Sequence, residues 1–287
     1  MKQIQGGVTA AKGFEAAGTA ANIKYKDRMD MALIYSTAPC RAAGTFTTNV
    51  VKAAPVMWDK EIVESSPYAQ AVVVNAGIAN ACTGKQGMDY CREEAQTAAG
   101  LLQIPENAVL VGSTGVIGMQ LPMERIKEGI RKLVSAKGDS IEAGTTASKA
   151  IMTTDTVNKE IAVTVELGGK TVTIGGMCKG SGMIHPNMCT MLAYITTDAA
   201  ISKPLLQEAL SSSIIDSYNM ISVDGDTSTN DTCLVLANGL AGNAEIIEKG
   251  ADYEAFCEAL NFVNTELAKR MAGDGEGATA LFETTVI

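Results

Sequence analysis

The sequence predicts an α/β protein in which strands and helices alternate along the chain. Apolar residues make up 46% of its 287 residues and charged residues 19%, which allows a large hydrophobic core. Short apolar or alternating runs typical of strands are interleaved with segments whose apolar residues recur every three to four positions, as in helices. Aromatic residues are scarce at 5%, so we expect a core of mainly Ala, Val, Ile, Leu and Met.

The first half of the chain is predicted to contain three strands and two helices. The strands are at 31–37, 69–77 and 108–114, and the helices are at 88–102 and 122–136. The second strand is a continuous apolar run of the buried type. The second helix is delimited by Pro122 in its first turn and by Gly138 just past its end.

The second half begins with a predicted β-hairpin, in which Gly168-Gly169 separates two runs of alternating apolar and polar residues at 161–174. Ser202 is the expected N-cap of a helix. The remaining elements are strands at 190–198, 232–238 and 278–287 and helices at 202–217 and 253–271. Because the last strand includes the final residue, Ile287, we expect a chain truncated at its C-terminus; the alternative is an ordinary terminal strand.

Composition excludes several classes of protein. The net charge is −9, with 23 basic against 32 acidic side chains and no basic stripe, so nucleic acid is not an expected partner. A single histidine excludes a multi-histidine metal site. Seven scattered cysteines without a CxxC motif predict reduced thiols and a cytoplasmic protein. No apolar leader and no membrane-spanning stretch are predicted.

Nucleotide and hydrolase motifs are also absent. Six residues separate Gly77 from Gly84-Lys85, whereas a P-loop has four and a Ser or Thr after the lysine. The glycines of 273–277 recur at every second position, which is not the dinucleotide-binding spacing. There is no G-x-S-x-G motif, and nothing around His185 marks it as a general base.

The segment from Cys178 to Asp198 is a glycine-rich loop with one lysine, followed by a predicted strand that starts at Thr190. A threonine is a poor nucleophile unless a base lies beside it. The α-amino group of an N-terminal threonine, with a reference pKa of about 7.7–8.0, can be that base. Thr190 would become N-terminal if the chain were cleaved after the small residue Cys189. A threonine that merely opens a strand is the ordinary alternative.

Several motifs resemble the ornithine acetyltransferase (bifunctional glutamate N-acetyltransferase) family of arginine biosynthesis, and the resemblance covers nearly all of the chain. The two most specific are KGSGMIHPNMCTML at 179–192 and SVDGDTSTNDT at 222–232. The others are GGVTAAKGFEAAG at 6–18, NAGIANACTGKQG at 75–87, GSTGVIG at 112–118, MTTDT at 152–156 and GDGEGAT at 273–279. The resemblance implies a mixed-sheet αββα-like sandwich shared with a small group of self-processing enzymes.

The resemblance also implies roles for individual residues. Thr190 corresponds to the family nucleophile and Cys189–Thr190 to the self-cleavage site, which would give an α chain of residues 1–189 and a β chain of 190–287. Thr114 and Gly115 correspond to the oxyanion hole, and Gly115 follows a predicted strand in a glycine-rich turn. The corresponding substrate-binding positions are Thr153, Lys179, Thr190 and Glu276.

The implied reaction transfers an acetyl group from N2-acetyl-L-ornithine to L-glutamate by a ping-pong mechanism, without metal or other cofactor. Some family members also accept acetyl-CoA as donor. The family implies association of cleaved chains as a heterotetramer of two α and two β chains. Position 189 is usually alanine in the family, Ile78 replaces a common asparagine, and family chains continue beyond GDGEGAT. The alternatives are an N-terminal-threonine amidase or aminopeptidase and an inactive truncated remnant.

Overall fold

A computed structural model describes residues 1–185 and 191–285. Within these residues, nine strands and six α-helices follow one another along the chain. The strands are β1 (Lys2–Ile4), β2 (Phe14–Thr19), β3 (Met31–Phe46), β4 (Ala69–Ile78), β5 (Val109–Val116), β6 (Lys159–Leu167), β7 (Lys170–Lys179), β8 (Leu192–Thr197) and β9 (Thr232–Ala237). The helices are α1 (Ala54–Ser65), α2 (Lys85–Leu102), α3 (Met123–Ala136), α4 (Ile141–Ala150), α5 (Lys203–Ile215) and α6 (Ala251–Gly273).

The long strand β3 joins two sheets. Its first half pairs with β2 and β4, and β4 in turn pairs in parallel with β5. Its second half pairs with β9 in the other sheet, whose order is β1-β6-β7-β8-β9-β3. The register of β3 is irregular between Tyr35 and Cys40, at the point where the strand passes from one sheet to the other. Such an irregularity bends a strand and increases its twist.

The two sheets pack face to face, with helices on their outer sides. One core cluster contains Val72 and Leu110 from the first sheet together with Leu192 and Tyr194 from the second. Helices α1 to α4 pack on the sheet that contains β4 and β5. Helices α5 and α6 cover the outer face of the other sheet and form a second core cluster with it. The α/β fold with mixed sheets, predicted as an αββα-like sandwich, is therefore confirmed.

The structure confirms most of the predicted elements and corrects others. Ser202 stands at the N-cap position of α5, but its side chain makes no capping hydrogen bond. Of the predicted strand 190–198, the described part begins at Leu192, and Thr190 lies outside the described residues. The predicted strand 278–287 is wrong over its described part, because residues 278–285 pair with no strand edge and Phe282 is 89% exposed.

The described part of the chain offers neither a membrane-spanning helix nor a cluster of metal ligands. No helix there combines the length and the apolar character that a bilayer crossing requires. Residues 1–185 and 191–285 also contain no group of three or more His, Cys, Asp or Glu side chains placed to hold a metal ion.

Candidate active site

The end of β5 forms one wall of the site. Strands β4 and β5 run in parallel, so that Gly77 lies beside Gly115. Gly115 has a φ of +129°, and a Cβ atom there would lie 2.3 Å from the carbonyl carbon of Gly77. Only glycine fits a position with both constraints. Thr114, the preceding residue, is largely buried, and together with Gly115 it lines a cavity at this end of the strand. The backbone therefore brings a hydroxyl and a glycine together at one strand end.

A second wall is formed by the loop after α4 and the end of β7. Lys179 is buried, and its Nζ donates a hydrogen bond of 2.7 Å to Thr153 Oγ1. The same ammonium lies 3.7 Å from Asp155 Oδ2. Burial lowers the pKa of Lys179, although the Asp155 carboxylate opposes this shift. Thr153 and Lys179, two predicted substrate-binding residues, are thus in direct contact.

Asp155 is the centre of a buried network of charges. Its carboxylate accepts hydrogen bonds from Lys159 Nζ at 2.7 Å and from the Gly180 amide at 2.8 Å. Lys159 Nζ also lies 2.6 Å from Asp274 Oδ2, just after α6. Burial by itself would raise the pKa of Asp155, but the positive charges of Lys179 and Lys159 outweigh it and lower that pKa. The network therefore favours the ionised forms of Asp155 and Lys159 and ties the 152–155 loop to the end of α6.

Glu276 completes the site from the segment after α6. Its amide donates a 2.7 Å hydrogen bond to the Ser181 carbonyl, and the Ser181 hydroxyl donates one of 2.7 Å to the Asp274 carbonyl. A Cβ at Gly182 would lie 2.6 Å from the carboxyl carbon of Glu276. The loop after β7 therefore holds Glu276 by its backbone, and the missing side chain at Gly182 leaves space for the carboxylate.

These walls enclose one cavity of about 370 Å³. All of the predicted site residues that the structure describes line it: Thr114, Gly115, Thr153, Lys179 and Glu276. Cys189 and Thr190 lie outside the described residues; Met191, the next residue, is described. The cavity also contains both signs of charge beyond those residues, from Lys24, Arg28, Asp30, Asp224 and Asp226. Such a mixed lining suits a small zwitterionic ligand with an ammonium and a carboxylate.

Sequence reasoning missed the residues that support this cavity. Asp155 lies within the MTTDT motif, which was a usable signal. Arg28, whose guanidinium donates a 3.0 Å hydrogen bond to the Met152 carbonyl, gave no signal. Lys159 and Asp274 meet only in the folded chain.

The fold is an α/β sandwich of two mixed sheets between layers of helices, and its candidate site is a cavity lined by charges of both signs. The chain is similar to the L-aminopeptidase D-Ala-esterase/amidase of Ochrobactrum anthropi, described as a variant of the ntn hydrolase fold, with a TM-score of 0.57. That match covers 95% of this chain and 86% of that one at 12% identity, and it bears on the fold alone.

The chain belongs to the ArgJ family, whose model matches residues 15–287. It is 54% identical to the arginine biosynthesis bifunctional protein ArgJ of Symbiobacterium thermophilum over 288 residues, which cover 100% of this chain and 71% of that protein. The structure of ornithine acetyltransferase from Mycobacterium tuberculosis, complexed with ornithine, matches with a TM-score of 0.58 and 36% identity. That match covers 65% of this chain and 96% of that chain. The family indicated by the sequence motifs is confirmed.

Proposed function

We propose that the chain is a glutamate N-acetyltransferase that moves an acetyl group from N2-acetyl-L-ornithine to L-glutamate in arginine biosynthesis. The observation that carries this proposal is the convergence of Thr114, Gly115, Thr153, Lys179 and Glu276 on one cavity. Membership of the ArgJ family supports it, as does the likeness to an ornithine acetyltransferase that was solved with ornithine.

In this proposal the chain cleaves itself between Cys189 and Thr190. The Thr190 hydroxyl attacks the Cys189 carbonyl carbon, the acyl group moves from nitrogen to oxygen, and water hydrolyses the ester. The products are an α chain of residues 1–189 and a β chain beginning with a free α-amino group at Thr190. Residues 1–189 are about 66% of the chain. This share is close to the 65% of this chain that the Mycobacterium tuberculosis structure matches, in a comparison that covers 96% of that chain.

Acetyl transfer then proceeds in two half-reactions. The Thr190 hydroxyl loses its proton to the α-amino group and attacks the acetyl carbon of N2-acetylornithine. The C–N bond breaks, ornithine leaves with the proton, and an acetyl-threonine ester remains. The α-amine of glutamate attacks this ester, and Thr190 recovers its hydroxyl proton as N-acetylglutamate leaves. The Thr114 hydroxyl and the Gly115 amide stabilise the oxyanion of each tetrahedral intermediate, and losing such a donor typically costs about 10²–10³-fold in rate.

The cavity's charges are assigned to the two substrates. Both are α-amino acids, so each presents a carboxylate, and Lys179 is assigned as a cation that attracts it. Glu276 is assigned to an ammonium group such as the ornithine side chain. The hydrogen bond between Lys179 and Thr153 fixes the direction of the ammonium. Thr153, Lys179 and Glu276 thus bind the substrates, and Thr190 binds the acetyl group covalently.

The remaining parts of the proposal follow from the family. No metal or other cofactor takes part, and acetyl-CoA is a candidate second donor. The cleaved chains associate as a heterotetramer of two α and two β chains in the cytoplasm. Partners are small-molecule substrates and copies of the same chain, not nucleic acid or membrane.

The intact masses of purified wild type and Thr190→Ala, measured under denaturing conditions, test the cleavage. We expect two pieces of about two thirds and one third of the chain in the wild type and an uncut Thr190→Ala variant. N-acetylglutamate and free acetate are then measured in reactions of N2-acetylornithine with glutamate. Predominance of N-acetylglutamate supports the transferase. Excess acetate would instead indicate an amidase in which water is the acceptor, and a folded, uncut chain without turnover would identify an inactive remnant.

A further inference from the structure

The cavity that is proposed to bind both substrates has an anionic end and a cationic end. At the anionic end, the Glu276 carboxylate lies beside Gly182, in the loop after β7. Asp224 lines the same end, where its carboxylate accepts a 2.8 Å hydrogen bond from a backbone amide of that loop. The cationic end contains Lys24 and Arg28, which belong to the loop between β2 and β3. Different loops therefore hold the two signs of charge.

Arg28 is fixed at the cationic end but keeps part of its capacity to donate hydrogen bonds. Its Nη2 donates to the carbonyls of Met152 at 3.0 Å and Thr153 at 2.5 Å. Its remaining N–H groups, on Nε and Nη1, have no hydrogen-bond partner among residues 1–185 and 191–285. Asp30 lines the same end, but its carboxylate accepts two 2.6 Å hydrogen bonds from backbone amides of its own loop. A half-buried guanidinium with free donors thus lines the cavity.

Thr153 holds Arg28 close to Lys179. Its carbonyl accepts the 2.5 Å hydrogen bond from Arg28 Nη2, and its hydroxyl accepts one of 2.7 Å from Lys179 Nζ. Because both oxygens belong to one residue, bond lengths keep the two nitrogens within roughly 10 Å of each other. The two carboxyl carbons of glutamate are up to about 5 Å apart, and a charge-assisted hydrogen bond adds about 2.7–2.9 Å at each end. One glutamate molecule is therefore long enough to contact both cations.

We propose that Arg28 determines the choice of acceptor, because its guanidinium binds the side-chain carboxylate of glutamate while Lys179 binds the α-carboxylate; this proposal rests on the proposed function. The donor carries an ammonium group at the end of its side chain, which Arg28 repels and Glu276 attracts. In a ping-pong reaction ornithine leaves before glutamate enters, so one cavity serves both molecules in turn. Its two ends then sort the two amino acids by the sign of the side-chain charge.

Glutamate and glutamine differ in side-chain charge but hardly in size, so their affinities measure this contact. Both are titrated calorimetrically into the purified full chain of wild type, Arg28→Gln and Arg28→Lys. We expect wild type to bind glutamate about 10-fold or more tightly than glutamine, as for a hydrogen bond to a charged group. Arg28→Gln should lose most of this preference, although its amide can still donate to the carbonyls of the 152–153 loop. Arg28→Lys, which keeps the charge, should recover part of it.

Acetyl transfer gives a second readout, because in a ping-pong reaction the kcat/KM for each substrate reports on its own half-reaction. Arg28→Gln should lower kcat/KM for glutamate by about 10–100-fold and leave kcat/KM for N2-acetylornithine nearly unchanged. If Arg28 served only to hold the 152–153 loop, the variant would lower both values, because Thr153 and Lys179 are assigned to both substrates.

Arg125→Gln is the matched control. The Arg125 guanidinium also donates a hydrogen bond to a backbone carbonyl of the loop between β2 and β3, that of Asn22 at 2.6 Å, but Arg125 lies outside the cavity lining. The variant removes the same charge and should keep the wild-type preference for glutamate. Loss of that preference in Lys24→Gln but not in Arg28→Gln would overturn the assignment to Arg28.

The outcomes separate this proposal from the proposed function. A wild type that binds glutamate no more tightly than glutamine overturns the role of Arg28, whether or not it transfers acetyl groups. A wild type that prefers glutamate through Arg28 but transfers no acetyl group overturns the transferase and leaves the glutamate site.

A spectroscopic measurement decides the matter if Arg28→Gln does not fold. Wild type is labelled with ¹⁵N-arginine, and the Nε–H resonance of Arg28 is identified by its disappearance in Arg28→Lys. Glutamate should shift this resonance and glutamine should not. A resonance that responds to neither amino acid, or to both equally, contradicts a contact between Arg28 and the side-chain carboxylate.

Discussion

Replacement of Lys159 by methionine should strongly destabilise the fold, because it leaves two carboxylates without their shared partner. The Lys159 side chain is 1% exposed, and its Nζ lies 2.7 Å from Asp155 Oδ1 and 2.6 Å from Asp274 Oδ2. Breaking a buried ion pair from one side typically costs 3–5 kcal/mol, since the remaining charge stays buried. For a chain of this size that corresponds to a fall in Tm of roughly 10 °C.

The comparison uses urea denaturation, because urea does not screen charges as guanidinium does. Lys249→Met is the matched control: Lys249 also pairs with a carboxylate, Glu208 at 2.5 Å, but its side chain is 62% exposed. An exposed pair contributes about 0.2–1 kcal/mol. If Lys159→Met loses no more unfolding free energy than Lys249→Met, the reasoning that the Lys159 network stabilises the fold as a buried ion pair is refuted.

Three further variants test other parts of the structure. Thr114→Val, which removes the hydroxyl but keeps the shape, should lower kcat for acetyl transfer by about 10²–10³-fold and change KM little; an unaltered kcat would exclude that hydroxyl from the oxyanion hole. Gly182→Ala should raise KM for N2-acetylornithine with a small change in Tm, because its Cβ would meet the movable carboxylate of Glu276 rather than backbone. Glu94→Gln should flatten the pH dependence of stability. Burial, reinforced by Asp59, raises the pKa of Glu94 to about 8, so the folded chain keeps a proton that the unfolded chain releases near pH 4.5. Wild-type stability should therefore fall as the pH rises between these values, by up to about 1.4 kcal/mol per pH unit from this group, and urea midpoints at pH 6 and pH 8 should differ less in Glu94→Gln.

Elements with a strong local pattern could be predicted from the sequence, and elements that depend on distant partners could not. The hairpin of β6 and β7 is visible from alternation and a Gly-Gly turn. The sequence predicts a strand that ends at residue 37, whereas β3 continues past Pro39, which has no amide hydrogen to donate to a sheet. The strand continues to Phe46 because Pro39 lies at the irregularity where β3 changes sheets. Helix α4 was missed because it is only ten residues long and its buried residues are small (Gly144, Ala147, Ser148 and Ala150), and much of its packing is against β2.

The features of the site likewise include some that the sequence predicts and others that only the folded structure shows. The site residues that lie in family motifs could be predicted from the sequence. All of those that the structure describes line one cavity: Thr114, Gly115, Thr153, Lys179 and Glu276. That Gly115 must be glycine follows from its positive φ and from its contact with the backbone of a neighbouring strand, and the structure is needed to see either.

The buried charges around Asp155 make sense as part of the site rather than of the core. Replacing a buried ion pair by well-packed apolar residues is often neutral or stabilising, so stability alone gives little reason to keep one. Here the pairs connect the loop that holds Thr153 to the end of α6, from which the chain continues to Glu276. Lys159 thereby holds the wall that contains Lys179 at a fixed distance from the segment that contains Glu276. This distance decides whether an amino-acid substrate can contact both. The network fixes this separation, and that role in the site explains why its charges are buried despite the free-energy cost of their desolvation.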